Sequence, residues 1–226
     1  MTQSEQFIVD GMVLEIPVWG MTPFMRNRLE RGQYEGQERQ LTREFLRPGD
    51  KVLDLGAGAG LVASLAASIV GPENVTAVEA NPAMHPFLRR NLRRNGAQAV
   101  RTIKGAVAGP RVTEKEVTLN LEAGFWASSI LRASQNARGA VTVPVKRFDR
   151  LLRATGASVV IMDIEGAEDD ILTRSLPAQL RLLIVEMHPD VYGAARLTEI
   201  QVNLMAQGFV RVDDLPGCRA CAYRRE

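Results

Sequence analysis

The sequence predicts an α/β protein built on a doubly wound, Rossmann-like sheet of seven mostly parallel strands, ending in a C-terminal antiparallel hairpin. Three observations predict it. From Lys51 onward, short apolar runs alternate with helical segments of roughly ten to fifteen residues, the pattern of a parallel sheet with helices on both faces. The first run, KVLDL, leads into the glycine-rich turn Gly56-Ala57-Gly58-Ala59-Gly60, which opens a helix. The last two runs, GFVRVDD and CRACAYR, are joined by Leu215-Pro216-Gly217, a turn signal that makes them a hairpin.

Residues 1–47 read as an N-terminal cap and 48–226 as the main α/β domain. In the cap, Asp10-Gly11 between FIV and MVLEI marks a hairpin. Thr22-Pro23 reads as N-cap and first position of a helix stopped by Gly32, and Gln37 to Leu46 as a second helix stopped by Arg47-Pro48-Gly49. The main domain then runs through KVLDL, the helix LVASLAASIV, the strand NVTAVEA, a helix from Pro82 to Asn95 and a strand around Val100 to Lys104. Residues 112–145 lack helical period and contain VTLNL and AVTVPV, so an inserted antiparallel ribbon with a loop at 122–139 is expected. A helix at Phe148 to Ala154, the strand SVVIMDI, a helix after Gly166, the strand RLLIVEM and a helix near Leu197 to Ala206 complete the alternation.

Composition narrows the class. The 226 residues are 46% hydrophobic and 24% charged, ordinary globular usage that excludes a disordered chain. With 28 Lys+Arg against 26 Asp+Glu the net charge is +2, too weak a field to draw the whole protein onto a polyanion. The N-terminus lacks a basic-then-apolar signal pattern. The longest uncharged apolar stretch, Leu61 to Val70, is about half a membrane span, so a cytoplasmic protein with no membrane partner is expected. Cys218 and Cys221 have C-x-x-C spacing but no second pair or nearby His to complete a zinc site, and they read as small apolar side chains of a terminal strand.

The glycine turn is a ligand cradle, because glycine lets the backbone turn sharply and approach a ligand closely. Glu79 ends the next strand, 23 residues beyond Gly56, where a carboxylate can accept both ribose hydroxyls of an adenosine. A dinucleotide site usually spaces its glycines G-x-G-x-x-G; here the pattern is G-x-G-x-G, and Leu61 stands in the third glycine's place.

Two further strand ends carry carboxylates: Asp163-Ile164-Glu165-Gly166-Ala167-Glu168, and Glu186-Met187-His188-Pro189. Adjacent strands on one side of a switch point converge at their C-terminal ends, the crevice where ligands react. Asp163 and Glu165, two apart, lean to one side if the strand persists, and His188 can reach across. Asp163, Glu165 and His188 are the candidate catalytic groups. The set Asp163, Glu165, Glu186 and His188 could alternatively hold a divalent cation such as magnesium or manganese. Glu168 reads mainly as an acid favoured by the dipole of the following helix. His85, just inside a helix start, reads as structural.

The motifs D-L-G-A-G-A-G and V-E-A-N resemble the first two signatures of class I S-adenosylmethionine (SAM)-dependent methyltransferases. The run from VTVPVKRFDRLL through VVIMDIEGAEDDIL to LLIVEMHP resembles the FkbM-type members, over roughly residues 34 to 190. The resemblance includes Tyr34-Glu35 and Ser128-Ser129, and departs in having Glu79-Ala80-Asn81-Pro82 where the family often has E-P-x-P. It implies that residues 48–226 form a methyltransferase domain. Cofactor contacts would come from Tyr34, Glu35, Asp54, Gly56, Ala57, Gly58, Gly60, Glu79, Ala80 and Asp163, with Gly105, Ala106 and Val107 flanking the adenine. The implied activity is O-methylation of a small-molecule hydroxyl, on a sugar, polyketide or other metabolite.

Two other classes compete. A nucleic-acid methyltransferase draws on the basic run Arg89-Arg90-Asn91-Leu92-Arg93-Arg94, but that run has no interleaved aromatics for base stacking and reads as a solvated helix face. A nicotinamide-dependent oxidoreductase is disfavoured by the glycine spacing and the lack of a Tyr-x-x-x-Lys pair. The expected partner is a small-molecule acceptor, with a homodimer compatible. The cap is expected to shape the acceptor site, so removing residues 1–33 would spare much of the SAM affinity and abolish transfer.

Overall fold

In the computed structural model, which describes residues 3–121, 124, 139–215 and 219–226, the alternating pattern forms one central sheet. Its strands are β3 (Val52–Leu55), β4 (Val75–Glu79), β5 (Arg101–Lys104), β9 (Val159–Met162), β10 (Leu182–Glu186), β11 (Phe209–Arg211) and β12 (Ala220–Arg225). They lie in the order β11-β12-β10-β9-β3-β4-β5. All neighbours pair in parallel except β12, which runs antiparallel to both β10 and β11. The expected seven-stranded sheet with a closing hairpin is therefore what forms.

Both faces of the inner strands are apolar because each is covered by helices. Leu53, Leu55, Val160, Met162, Leu183 and Val185 face a cluster with α5 (Phe148–Thr155), α6 (Glu168–Leu172) and α8 (Ala194–Ala206). Their chain neighbours Val52, Val159, Ile161, Leu182 and Ile184 face the opposite cluster with α2 (Gly36–Phe45), α3 (Leu61–Val70) and α4 (His85–Arg94). The period-2 pleat thus divides one run of sequence between two cores.

The cap begins with β1 (Ser4–Val9) and β2 (Met12–Pro17), an antiparallel hairpin. Asp10 and Gly11 both have positive φ, as the two-residue turn requires. Thr22 caps α1 (Pro23–Glu30), accepting from the Met25 N–H at 3.2 Å. The hairpin is not a detachable flap. Leu14, Ile16, Met25 and Leu29 share a buried cluster with Ala59, Leu61, Met84 and Phe87, so the cap packs directly on the glycine turn and α4.

The insertion is larger than expected. β7 (Glu116–Leu121) pairs antiparallel with β8 (Gly139–Arg147), but β6 (Ala106–Ala108) also joins β8, in parallel, making a three-stranded sheet. Helix α7 (Pro189–Tyr192), one turn long, was not expected, and α6 is only five residues. Cys221 is buried in β12 as expected; Cys218, the Ser128-Ser129 pair and most of the turn at 215–217 lie outside the described residues. Among the described residues no helix is long and apolar enough to cross a membrane.

Candidate active site

The chain proceeds from β3 through β4 to β5 in one direction and places β9 and β10 on the other side, so the switch point lies between β3 and β9. Ligands bind at such a point beyond the carboxyl ends of the strands. The glycine turn leaves β3 there, held by the Gly56 and Ala57 N–H groups donating to the Val78 carbonyl at 2.9 and 3.0 Å. Gly56, at φ +87, passes so close to β9 that a Cβ would stand 1.8 Å from the Asp163 carbonyl oxygen. Gly58, at φ +50, faces Tyr34 and Glu35. Gly60 differs from the expectation: a Cβ there would strike Leu88 at 2.6 Å, so this glycine permits close packing of α3 on α4 and does not line the cleft.

A cleft open to solvent runs along these strand ends. Tyr34, Glu35, Gly56, Gly58, Glu79, Ala80, Gly105, Ala106 and Asp163 all line it, as the resemblance implies, with Val107 and Leu119 as apolar wall. Asp54 and Ala57 line a smaller recess behind Gly56, together with Glu35, Glu38 and Asp163. Buried Glu79 accepts the Gly58 N–H at 2.8 Å and the Asn81 N–H at 2.6 Å, which fixes its carboxylate toward the cleft with lone pairs left for two hydroxyls. His85 Nε2 bonds the Glu79 carbonyl oxygen at 2.9 Å, the structural role expected of it.

Tyr34 and Glu35 reach the cleft because buried Arg39 organises the corner before α2. Its guanidinium donates to the Tyr34 carbonyl at 3.0 Å and the Gly32 carbonyl at 2.6 Å, and pairs with Asp10 of the hairpin turn. Glu35 consequently sits at φ +47, in the left-handed region. Three carboxylates here have a buried oxygen with no hydrogen-bond partner: Glu35 Oε2, Asp54 Oδ2 and Asp163 Oδ1. Burial pushes the Glu35 carboxyl up to about 8 and Asp54 to about 7, the latter helped by the charge of Glu79. Orphaned acids lining one recess call for a cation, and SAM carries both an ammonium and a sulfonium. The cradle, the ribose acid and these acids fit that cofactor.

The second constellation forms as expected, with one role revised. His188, 4% exposed, points Nε2 at Asp163 Oδ1 and Glu165 Oε2, both at 3.6 Å, and at Glu186 Oε1 at 3.9 Å. The strand ends at Met162, so Asp163 and Glu165 do not meet by strand geometry; Glu165 is swung over by a left-handed φ of +56. Glu168 is not a solvated helix-dipole acid. It is fully buried, takes His188 Nδ1 at 3.1 Å and accepts the Ile164 N–H at 3.2 Å. Burial alone would lower the His188 pKa, but the Glu168 hydrogen bond and the charges of Glu168, Glu165 and Glu186 outweigh it and raise it. Asp163 is pushed well above the carboxylate range by burial and by Glu186, Glu165, Glu38 and Glu168.

Sequence reasoning missed Glu38, which hydrogen-bonds Glu186 from α2. Burial and the Glu38 charge raise Glu186 to about 7, with the His188 charge acting against them. Its only signal was an acid in the first turn of α2, three residues after Glu35. The basic run of α4 is largely spoken for: Arg90 and Arg94 both pair with Glu15 at 3.0 Å, and Arg89 donates to Thr102 at 3.2 Å.

This sheet order, with a glycine turn and the Glu79 carboxylate at its switch point, is a Rossmann-like α/β fold. The family model described as a methyltransferase domain matches residues 52–135. An arsenite methyltransferase of Halobacterium salinarum is 28% identical over 180 residues, covering 76% of this chain and 40% of its own. A ribosomal protein L11 methyltransferase of Geobacillus kaustophilus is 34% identical over 64 residues, 28% of this chain and 20% of its own. The chain thus spans less than half the length of these relatives. In fold it is similar to TYW2 of P. horikoshii in complex with MeSAdo (TM-score 0.54, 12% identity, 99% of this chain and 70% of that one). It is also similar to TYW2 of M. jannaschii in complex with AdoMet (TM-score 0.53, 14% identity, 100% and 88%).

Proposed function

We propose that the protein is an FkbM-type O-methyltransferase that moves the methyl group of SAM to a hydroxyl of a small molecule. One observation carries the reading: a second, open cleft of about 1100 Å³ adjoins the cofactor cleft and shares Tyr34, Glu35 and Asp163 with it. Its other walls are Phe24, Met25 and Arg28 of α1, Gln37 and Glu38 of α2, Glu186 and Arg219. The cap therefore provides one side of an acceptor site and the strand ends the other. Among the described residues its basic side chains are two, Arg28 and Arg219, and the latter already pairs with Asp190 at 2.5 Å, which favours a small acceptor over a phosphate backbone.

When bound, SAM would supply an electrophilic methyl group to the acceptor oxygen, with the sulfur as leaving group keeping the C–S bonding pair. The protein's part is to align that oxygen and accept its proton. Glu165 lines the cofactor cleft and abuts His188, so its carboxylate is the assigned base, with Asp163 and His188 orienting the acceptor. The test is methyl transfer from labelled SAM to a panel of hydroxylated small molecules. Transfer is expected, and Glu165→Gln should lower kcat by roughly 10²–10⁴-fold with SAM affinity intact. Turnover within about threefold of wild type, under 1 kcal/mol, takes the proton away from Glu165.

A further inference from the structure

We infer that Asp163, Glu186 and His188 form a binding site for one divalent transition-metal ion, manganese or zinc in preference to magnesium or calcium. One donor atom from each of the three lies within 4.8 Å of the others. The decisive feature is the spacing around His188 Nε2. This side chain is 5% exposed, yet the carboxylate oxygens around its Nε2 stand at 3.6 Å (Asp163 and Glu165) and 3.9 Å (Glu186), too far for a direct hydrogen bond, and of the three Glu165 is the one already assigned as the base. Two donor atoms each about 2.1 Å from a common ion lie about 3.0–3.6 Å apart for bond angles of 90–120°, so the His188–Asp163 separation of 3.6 Å is that of co-ligands, while Glu186 at 3.9 Å must close in by a few tenths of an ångström to ligate. Among the described residues Asp163 Oδ1 has no hydrogen-bond partner, and on this inference it faces the ion while Glu35 and Asp54 remain for the cation of SAM.

The surroundings are those of a metal shell. A ligating imidazole usually anchors its other nitrogen on a carboxylate, and His188 Nδ1 is held at 3.1 Å by fully buried Glu168. Glu186 is likewise hydrogen-bonded by Glu38. An imidazole with two carboxylates suits borderline ions better than magnesium or calcium, which prefer oxygen throughout. A cation here would lie at the edge of the proposed acceptor cleft, where positive charge favours ionisation of an acceptor hydroxyl.

The test is calorimetry on the chelator-treated, dialysed full chain with Mn²⁺, Zn²⁺, Mg²⁺ and Ca²⁺, with SAM titrated in parallel. One Mn²⁺ or Zn²⁺ per chain is expected at micromolar affinity or tighter, with Mg²⁺ and Ca²⁺ at least tenfold weaker. Asp163→Asn and His188→Asn should each weaken binding at least tenfold, and Glu168→Gln, a positioning residue, by about 10–100-fold. Because variants of a buried cluster can misfold, the wild-type protein supplies a second readout. It has two histidines, and Zn²⁺ should shift the ring nitrogens of His188 and leave those of His85 in place. The inference is overturned by no stoichiometric binding below about 1 mM, by affinity unchanged in both ligand variants, by preference for Mg²⁺, or by an unshifted His188. It goes beyond the methyl-transfer reading, and the SAM titration separates the two failures: SAM binding without metal overturns only the metal site, and metal without SAM overturns only the transfer.

Discussion

Gly56 and Glu35 show how single positions fix the cofactor site. At Gly56 both the positive φ and the 1.8 Å approach of an added Cβ to the Asp163 carbonyl forbid a side chain, so Gly56→Ala must push β3 and β9 apart. Gly96 also has positive φ but nothing within 4 Å, so Gly96→Ala is expected to cost about 1 kcal/mol and leave SAM binding unchanged. Gly56→Ala should weaken SAM at least tenfold, read by calorimetry on protein whose circular dichroism is unchanged. Glu35 gives a pH dependence. Its folded-state pKa of about 8 lies above the unfolded carboxylate value, so between about pH 4.5 and 8 the folded protein binds more protons than the unfolded. Glu35 thus favours folding at low pH and loses that contribution as pH rises toward 8. Asp54, raised to about 7, acts in the same direction over a lower window. Thermal melts should show the cofactor-free protein losing stability from pH 5 to 8 while the stabilisation by SAM grows, because the cation meets ionised acids. A SAM increment that shrinks over this range contradicts the assignment. Glu79 and Asp163 were legible because they sit at strand ends beside a recognisable turn. Glu168 was misread because a helix N-terminus explains an acid there equally well until its burial is known.

Among the elements, buried Asn91 of α4 ties the β1–β2 hairpin to the glycine turn. Asn91 accepts the Glu15 N–H at 2.7 Å and donates to the Glu15 carbonyl at 3.0 Å and the Ala59 carbonyl at 2.9 Å, tying the cap to the glycine turn. Asn91→Ala strands buried backbone groups and should cost about 2 kcal/mol or more, roughly 4–8 °C in Tm for a chain of this size. SAM affinity should fall with it, because Ala59 is part of the turn. For the same reason, removing residues 1–33 is now expected to impair SAM binding as well as transfer, contrary to the sequence-based expectation. A deletion protein that melts and binds SAM like wild type would show that this packing is dispensable. The α3 helix was read to the residue from its apolar run and flanking glycines. β6 escaped because three residues, Ala-Val-Ala, carry too little period, and its partner β8 lies more than thirty residues away in sequence.

For the whole molecule, the sheet order brings the glycine turn, Glu79 and two carboxylate-rich strand ends to a single switch point, and the cap adds Tyr34, Glu35 and Glu38 from outside the sheet. That topology was legible from the alternation of elements. The meeting of two clefts at Tyr34, Glu35 and Asp163 was not, since it depends on how α1 and α2 pack. Calorimetric titration of SAM into the wild-type and Glu79→Ala proteins, with NADH as the competing ligand, tests the central claim most directly. The account predicts SAM binding at micromolar affinity or tighter, weakened by about 1.5–3 kcal/mol in Glu79→Ala, roughly 10–150-fold, with no comparable NADH binding. Tight NADH binding with none for SAM, or SAM binding indifferent to Glu79→Ala, would contradict it.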